Sequence, residues 1–410
     1  MKIQLNLPPG SRQRLCLDYL NSRLRSRLQG CAGTLNPQAD GAIETSARGQ
    51  SSVGQEQVSL TWRTLKSANG TLLYLEVQRS DDEPSTVIWE EAASEFANSV
   101  WSSAFQQERS KMFRRAFFSY IGISLDGEYW LPGMRFAPVT PEDDNRYTEN
   151  AEQVVSIDMV VEAIDEVDAN ALAEGIGRRQ AARLSLLLDV GLFRNPSCLR
   201  WGYMAEEAPP KKAVRVHLGF WGHGPTLTDM PEKGTVCPLG KCSGSLGARS
   251  RVRNGLLSLP PQARRMLRAI DTALPVVSEA FDGAARLYQA GAMMGAQFPS
   301  VGLAYRVAAV EALSNSNRSY EGFSGFMRRH VTSEAVTDQV LDYLYGNVRS
   351  AHFHAGAFPL GEFESIRWFN PLMDEVVLQR SLFQHTCFKV TREAIINWQH
   401  DLLPSEQAEE

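Results

Sequence analysis

The sequence lacks a disulfide framework and has no long apolar run. Its six cysteines are scattered along 410 residues, a pattern that favours a reducing compartment. The longest apolar stretch, residues 184–192, contains Ser185 and Asp189 and is shorter than the roughly 20 residues of a membrane-spanning helix. The first residues lack the charged and apolar segments of a secretion signal. We therefore expect a cytoplasmic protein without a membrane segment, although the N-terminal arginines leave a transit peptide as an alternative to a surface helix.

The sequence also lacks the common catalytic signatures. It contains no Walker phosphate loop, dinucleotide-binding glycine fingerprint, HExxH motif or hydrolase nucleophile elbow. The N-terminal half therefore offers no recognisable chemistry. By elimination, we expect it to sense a trigger, such as a phage product, or to bind a regulatory partner.

Length and composition predict several domains, because 410 residues exceed the usual size of one core. Residues 36–56 hold few large apolar side chains, so residues 1–56 are expected to be an N-terminal segment with a flexible loop. Residues 57–221 are expected to form a mixed α/β, sensor-like domain, and the Gly-, Pro- and Ser-rich residues 222–258 a linker. Residues 259–404 are expected to form an all-α bundle of four to five helices. The predicted fold class is α+β.

The periodicity of apolar residues predicts the individual elements. A β-hairpin is expected at residues 58–65 and 71–78, around Asn69-Gly70. Further strands are expected at residues 117–125, 128–139, 154–164, 199–206 and 213–221. Helices are expected at residues 89–118, 169–190, 260–294, 301–313, 332–354 and 372–403.

The segment Arg349-Ser350-Ala351-His352-Phe353-His354 concentrates cationic and proton-exchanging groups at the end of a predicted helix. Cutting RNA without a metal requires a group that exchanges protons with the 2′-hydroxyl or the leaving 5′-oxygen. It also requires a fixed cation beside the phosphate. Histidine titrates near neutrality, and arginine offers a permanently charged planar fork. The segment is therefore a candidate RNA-cutting site.

These residues resemble the signature of the HEPN domain family, particularly its Apea-like branch. The branch pattern places Leu-Tyr near the helix end, then Arg-Ser, and then His-Gly. Leu344-Tyr345, Arg349-Ser350 and His354 match it, with Ala355 inserted before Gly356. Upstream, residues 305–313 are similar to the branch's second helix, which carries an Arg and Glu-Ala-Leu. The resemblance covers about residues 260–403.

The resemblance implies a homodimer in which two motif helices meet and both Arg349 and His354 pairs line one cleft. Such proteins are endoribonucleases that need no metal or cofactor, and they often act as toxins or abortive-infection effectors in antiviral defence. Asn347 and Ser350 would be polar helpers, and Tyr345 and Glu311 would support the site. A non-catalytic scaffold, or an antitoxin-type binding and dimerisation module, is the alternative.

The roles of the two histidines stay open at this point. In a regular helix, Arg349 and His354 point about 140° apart, whereas His352 lies within about 60° of Arg349. Helix geometry therefore favours His352, and the family pattern favours His354. The Arg and both His could also simply cap the helix C-terminus and complement its dipole. Glu311 could orient either Arg306 or Arg349.

The net charge of −5 argues against nucleic acid coating the whole surface, but the charge is unevenly placed. Residues 241–270 contain no acid and suit an RNA backbone, with a solvated linker and helix face as the alternative. The candidate RNA-binding residues are Arg249, Arg251, Arg253, Arg264, Arg265 and Arg268. The acidic residues 141–174 instead favour docking of a partner.

A zinc site is a weaker interpretation of Cys237 and Cys242 with His217 and His223, because the histidines precede the cysteines. Ordinary loop cysteines are the alternative, and we expect no metal.

Overall fold

The computed structural model describes sixteen stretches of the chain and contains both sheets and helices, which confirms the α+β class. The stretches are residues 2–3, 29–38, 41–53, 56–67, 72–79, 109–139, 152–194, 198–203, 213–218, 226–235, 252–253, 256–295, 297–316, 322–331, 334–363 and 375–403. The chain divides into two compact units. One comprises Met1–Met112 with Val161–Leu172, and the other comprises Phe113–Val160 with Ala173–Glu410. Each unit is described by itself.

The first unit contains a five-stranded sheet in the order β1-β5-β4-β3-β2. Its strands are β1 (Lys2–Ile3), β2 (Gln29–Pro37), β3 (Ile43–Val53), β4 (Glu56–Lys66) and β5 (Leu72–Arg79). The predicted hairpin is confirmed as the antiparallel pair β4 and β5. The predicted loop at residues 36–56 is wrong, because β3 pairs along its length with β2 and β4. Pairing on both edges satisfies its backbone groups even though the strand is poor in apolar residues.

The second unit is built around another sheet, in the order β12-β6-β9-β8-β7. Its strands are β6 (Ser110–Ile121), β7 (Tyr129–Leu131), β8 (Met134–Pro138), β9 (Glu152–Ala163) and β12 (Thr226–Leu227). The hairpins β10 (Cys198–Tyr203) with β11 (Ala213–Leu218), and β13 (Val252–Arg253) with β14 (Leu256–Leu257), are separate. The predicted strands at residues 117–125, 154–164, 199–206 and 213–221 each overlap one strand of the structure, whereas the single strand predicted at 128–139 is the antiparallel pair of β7 and β8, joined by a turn at residues 132–133.

The predicted helix at residues 89–118 is wrong where it can be examined. Residues 110–121 form β6, and residues 80–108 lie outside the described residues. On β6, Arg114, Ala116 and Phe118 are buried at every second position, which is the period of a strand. A buried arginine at one of these positions hides that period in the sequence.

The sheet of the second unit encloses an ion-pair network around Arg135. This buried side chain donates from Nε to Glu128 at 2.7 Å and from Nη1 to Asp158 at 2.8 Å. Burial acts to raise the pKa of Glu128. Hydrogen bonds from the Gly234 N–H, Trp130 and Arg135 outweigh this effect and hold the pKa below its ordinary value. A buried charge is tolerated here because each carboxylate has donors.

Nine helical segments follow in the described parts of the chain. They are α1 (Glu166–Leu188), α2 (Ala263–Thr272), α3 (Pro275–Met294), α4 (Pro299–Ser314), α5 (Gly322–His330), α6 (Asp338–Asp342), the π-helix π1 (Tyr343–Ser350), α7 (Ala351–Ala355) and α8 (Glu375–Asp401). No described helix is long and apolar enough to span a bilayer. The predicted single helix at 260–294 is interrupted at Ala273, because Pro275 starts a new helix at a position where it cannot continue the old one. Helix α5 was not predicted.

From Ala173 onward, α1 is tied to the bundle by buried cations. Arg183 bonds Asp282 of α3 and Asp271 of α2, both at 2.6 Å. Arg392 of α8 donates to the carbonyl of Leu187 at 2.7 Å. A helix predicted to belong to the N-terminal domain therefore packs in the bundle.

Residues 222–258, predicted to be a linker, also contribute to the second unit. Thr226 and Leu227 pair with β6, and Leu257 is buried and bridges Leu125. The predicted boundaries at 56, 221 and 258 thus differ from the two units of the structure.

Helices α3 and α4 make the closest helix contact near the candidate site. A Cβ atom on Gly302 would lie 2.9 Å from the Cα of Gly295, and one on Gly291 would lie 2.9 Å from the Cβ of Tyr305. Only glycine allows this approach, which fixes α4 against α3. Helix α4 in turn carries Glu311 to the motif.

Candidate functional site

The motif lies on a continuous helical stretch, residues 338–355, made of α6, π1 and α7. Thr337 caps its start by accepting the Val340 N–H at 3.3 Å. Leu344 and Val348 are fully buried and anchor it. Gly356 ends it with φ 64°, the left-handed conformation that commonly closes a helix.

Arg349 is held in place by Glu311 of α4. Its Nε donates to Glu311 Oε2 at 2.8 Å, and its guanidinium carbon lies 5.7 Å from the centre of the Tyr345 ring. The Arg349 side chain is 29% exposed and that of Glu311 15% exposed, so the ion pair is only partly screened by solvent. Of the two partners considered for Glu311, the structure selects Arg349. Arg306 instead bonds Asp189.

His352 joins the end of the helix to the segment that follows it. Its Nδ1 lies 3.0 Å from the Ala357 carbonyl oxygen, an acceptor, so Nδ1 carries the proton and donates it. The ring also meets Phe353 and Phe358 edge-on, with centroids 5.3 and 5.2 Å away. The bonded carbonyl belongs to Ala357, two residues beyond the end of α7 at Ala355, so the contact ties the helix to the segment that follows it and does not satisfy a carbonyl of the helix.

His354 is exposed, and its side chain makes no hydrogen bond or ion pair with the part of the chain that the structure describes. The neighbouring Phe353 packs on Tyr305 of α4 at 5.7 Å between ring centroids. The backbone that carries His354 is thereby fixed while its imidazole is open to an incoming molecule.

A π-helical turn precedes the segment that carries the two histidines. The Ala351 N–H bonds the carbonyl of Gly346, five residues earlier. A π segment adds a residue to the turn and is often found at functional sites. From Ser350 to Ala355 the backbone has α-helical dihedral angles, so the choice between His352 and His354 stays a prediction.

The remaining candidate residues are distributed as follows. Asn347 and Tyr345 are exposed and Ser350 is half-buried, all on π1. Arg264 and Arg268 are exposed and Arg265 half-buried on α2. Arg249 and Arg251 lie outside the described residues, as do the zinc candidates His223, Cys237 and Cys242. The side chains of Arg253 and His217 are also outside the description. Within the described ranges, no three His, Cys, Asp or Glu side chains are grouped for a metal.

Two supporting residues were missed in the sequence. Tyr305 and Phe358 pack against Phe353 and His352. The contact of Tyr305 could not be predicted from the sequence, because it depends on how α4 meets the motif.

Large apolar side chains are exposed on the helices and loop of this region. They are Tyr345, Phe353, Phe363, Leu378 and Leu382. We call these five residues the apolar rim. A patch of this kind on a protein surface commonly marks an interface.

No protein-family model, curated protein or solved structure matches the chain. The function can therefore be inferred only from the residues of the motif and their geometry.

Proposed function

We propose that the chain is a metal-independent endoribonuclease of HEPN type that acts as an effector of antiviral defence. One observation supports this most directly. Arg349 is oriented by Glu311 through a charged hydrogen bond of 2.8 Å, within one helical stretch of an exposed His354. A fixed cation and an accessible proton-exchanging group are the two requirements of RNA cleavage without a metal.

The proposed reaction is an attack of the RNA 2′-oxygen on the adjacent phosphorus. His354 of one protomer removes the proton of the 2′-hydroxyl, the new O–P bond forms, and the bond from phosphorus to the 5′-oxygen breaks. The partner's His354 donates a proton to that leaving oxygen. Arg349 stabilises the charge on the phosphate. The products are a 2′,3′-cyclic phosphate and a 5′-hydroxyl.

The proposed dimer accounts for two features of the site. A single His354 cannot remove one proton and donate another in the same step, so two copies are needed. The apolar rim also lies next to the motif, and a two-fold contact would remove it from water.

Exposed arginines on α2 are proposed to contact the RNA backbone. Arg264 and Arg268 are four residues apart, which places them on the same side of the helix. Such contacts favour RNA without selecting a sequence. The N-terminal unit is proposed to sense the trigger or bind a regulator.

Incubation of RNA with the purified chain in EDTA tests the proposal. Cleavage should continue, because arginine and histidine supply the charge and the proton transfer. Mass spectrometry of the fragments should find 2′,3′-cyclic phosphate ends. The variant Arg349→Ala should yield no fragments, while Arg328→Ala, which breaks an exposed ion pair elsewhere in the bundle, should cut normally. Loss of cleavage on chelation with recovery on adding a divalent ion would overturn the mechanism.

A non-catalytic scaffold is the second candidate, and it is favoured by the hydrogen bond of His352 to the segment after the helix. Under this alternative, Arg349 and Glu311 only join π1 to α4. Wild-type protein would then bind RNA or a partner protein without cutting, and Arg349→Ala would lower the melting temperature without a change in RNA integrity.

A further inference from the structure

A cavity of about 520 Å³ lies in the second unit, and none of the residues that line it belongs to the motif. It is a partly open pocket bounded by β6, α1, the loop at residues 191–194 and α3, and the four arginines that line it are exposed. Its lining residues are Phe118, Gly175, Arg178, Arg179, Leu192, Phe193, Arg194, Arg286, Gln289 and Met293. A volume of this size is typical of sites for small molecules.

The cavity is strongly cationic. Four arginines from three separate segments line it, and no acid does. The neighbouring Glu174 bonds Arg178 at 2.5 Å and also pairs with Arg194, so four guanidiniums against one carboxylate leave a local charge of +3. Arg179 and Arg286 have no ion-pair partner within the described ranges. Like charges gathered without a counter-charge repel one another, and an anionic occupant would relieve this repulsion.

The rest of the lining is apolar and partly aromatic. Phe118, Leu192, Phe193 and Met293 provide it, and the Arg194 guanidinium carbon lies 5.8 Å from the centre of the Phe118 ring. Phe118 and Leu192 are buried behind Phe193, which is half-exposed, and Met293, which is exposed. An anion alone would leave Phe193 and Met293 in contact with water. The lining therefore favours a ligand with a charged end and an apolar, planar body.

Three elements hold the loop at residues 191–194, which forms one wall of the cavity. The Leu192 N–H donates to Ser185 Oγ of α1 at 3.0 Å, and the Leu192 carbonyl accepts the Gln289 amide of α3 at 2.5 Å. Phe193 exchanges two backbone hydrogen bonds of 2.8 Å with Ser119 of β6. Gly191 lets the loop approach α3, because a Cβ atom there would lie 2.6 Å from the Met293 nitrogen. This wall needs no reorganisation when a ligand binds, whereas the exposed arginines are ordered by the ligand.

We propose that this cavity binds a free nucleotide. The arginines would bind its phosphates through paired N–H donors, and the base would lie against the apolar lining. Side chains from distant segments replace the backbone amides of a phosphate loop, which is why no nucleotide motif marks the site in the sequence. The proposal does not depend on ribonuclease activity.

Calorimetric titration of the full chain with ATP and GTP tests the proposal. At least one should bind at micromolar concentration, and pyrophosphate and adenosine should each bind at least about tenfold more weakly, because each half uses only part of the site. The double variant Arg179→Ala, Arg286→Ala should weaken nucleotide binding by roughly a hundredfold, about tenfold for each lost charged hydrogen bond. The control Arg328→Ala removes an exposed arginine of α5 that does not line the cavity and should bind normally.

The pair Arg179→Lys, Arg286→Lys keeps the charge but loses the planar fork, and it should bind with intermediate affinity. It also keeps the test decisive if the alanine pair does not fold. The proposal is overturned if neither nucleotide binds at about 1 mM, a thousandfold above the expected range. It is equally overturned if the lysine pair and the Arg328→Ala control weaken binding alike, or if pyrophosphate binds as tightly as the nucleotide. Binding of a 5′-phosphorylated RNA without any binding of ATP or GTP would also reject a free nucleotide as the occupant.

Discussion

Replacing Asp189 by alanine should destabilise the second unit strongly, because it leaves a buried cation alone. Asp189 Oδ1 accepts from Arg306 Nη2 and from the Tyr288 hydroxyl, both at 2.6 Å. The Arg306 guanidinium lies 4.6 Å from the Tyr288 ring and 5.0 Å from the Phe388 ring. The side chains of the ion pair are only 11% and 12% exposed, so solvent cannot replace the lost carboxylate.

The magnitude follows from this burial. Removing one partner of a buried charged pair costs about 3–5 kcal/mol. In a domain of 150–250 residues, 1 kcal/mol lowers the melting temperature by roughly 2–4 °C, so Asp189→Ala should lower it by roughly 6–20 °C. Asp189→Asn should cost less, because asparagine keeps an acceptor and tolerates the left-handed φ of 58° found here.

Urea and thermal unfolding followed by circular dichroism measure the effect. The double variant Asp189→Ala, Arg306→Met removes both charges and should be more stable than Asp189→Ala alone. Asp338→Ala is the matched control, because its partner Arg328 lies in an exposed pair, and it should unfold almost as the wild type does. If Asp189→Ala lowers the free energy of unfolding by less than about 1 kcal/mol, the reasoning is refuted, because a loss of that size corresponds to an ordinary neutral hydrogen bond.

Three further predictions concern assembly, arginine positioning and pH. Light scattering at micromolar concentration should give the mass of a dimer, and Leu382→Glu on the apolar rim should shift it to a monomer; a wild-type monomer would contradict the proposed cleft. Glu311→Ala should slow RNA cleavage about ten- to a hundredfold, since it removes a charged hydrogen bond to Arg349, with partial rescue by Glu311→Gln; full activity of Glu311→Ala would contradict a positioning role. Burial lowers the pKa of His330 below its ordinary 6.5, despite its hydrogen bond to Asp401. The unfolded chain therefore binds the proton first as the pH falls below about 6.5, and stability falls with it. Between pH 7.5 and pH 5.5, the free energy of unfolding should fall less for His330→Gln than for the wild type. Equal decreases would contradict the assignment of this pH dependence to His330.

Elements whose apolar residues repeat with a clear helical or strand period could be predicted from the sequence. Helix α1 combines strong helix formers with acids in its first turn, and the β4–β5 hairpin has alternating β-rich residues around a turn. The sequence of β3 contains little apolar surface, so its strand depends on neighbours that only the sheet provides. The buried positions of β6 include Arg114, whose charge conceals the strand period.

The sequence indicates the residues of the candidate site but not their arrangement in space. The motif and Glu311 were apparent from the sequence, whereas the partner of Glu311 depends on the packing of α4 against π1. The π-helical turn has no signature in apolar periodicity. The cationic cavity draws its arginines from α1, a loop and α3, so its existence depends wholly on tertiary structure.

The rate of RNA cleavage by His354→Ala and His352→Ala tests the central claim most directly. Both variants should remain folded dimers, because the two side chains lie at a helix end where substitution costs little stability. His354→Ala should abolish cleavage, since the exposed imidazole is the proposed proton-transfer group. His352→Ala should retain most of the activity, because this ring is already hydrogen-bonded to the Ala357 carbonyl. The reverse ranking would assign proton transfer to His352, and unchanged cleavage in both variants would contradict the ribonuclease mechanism altogether.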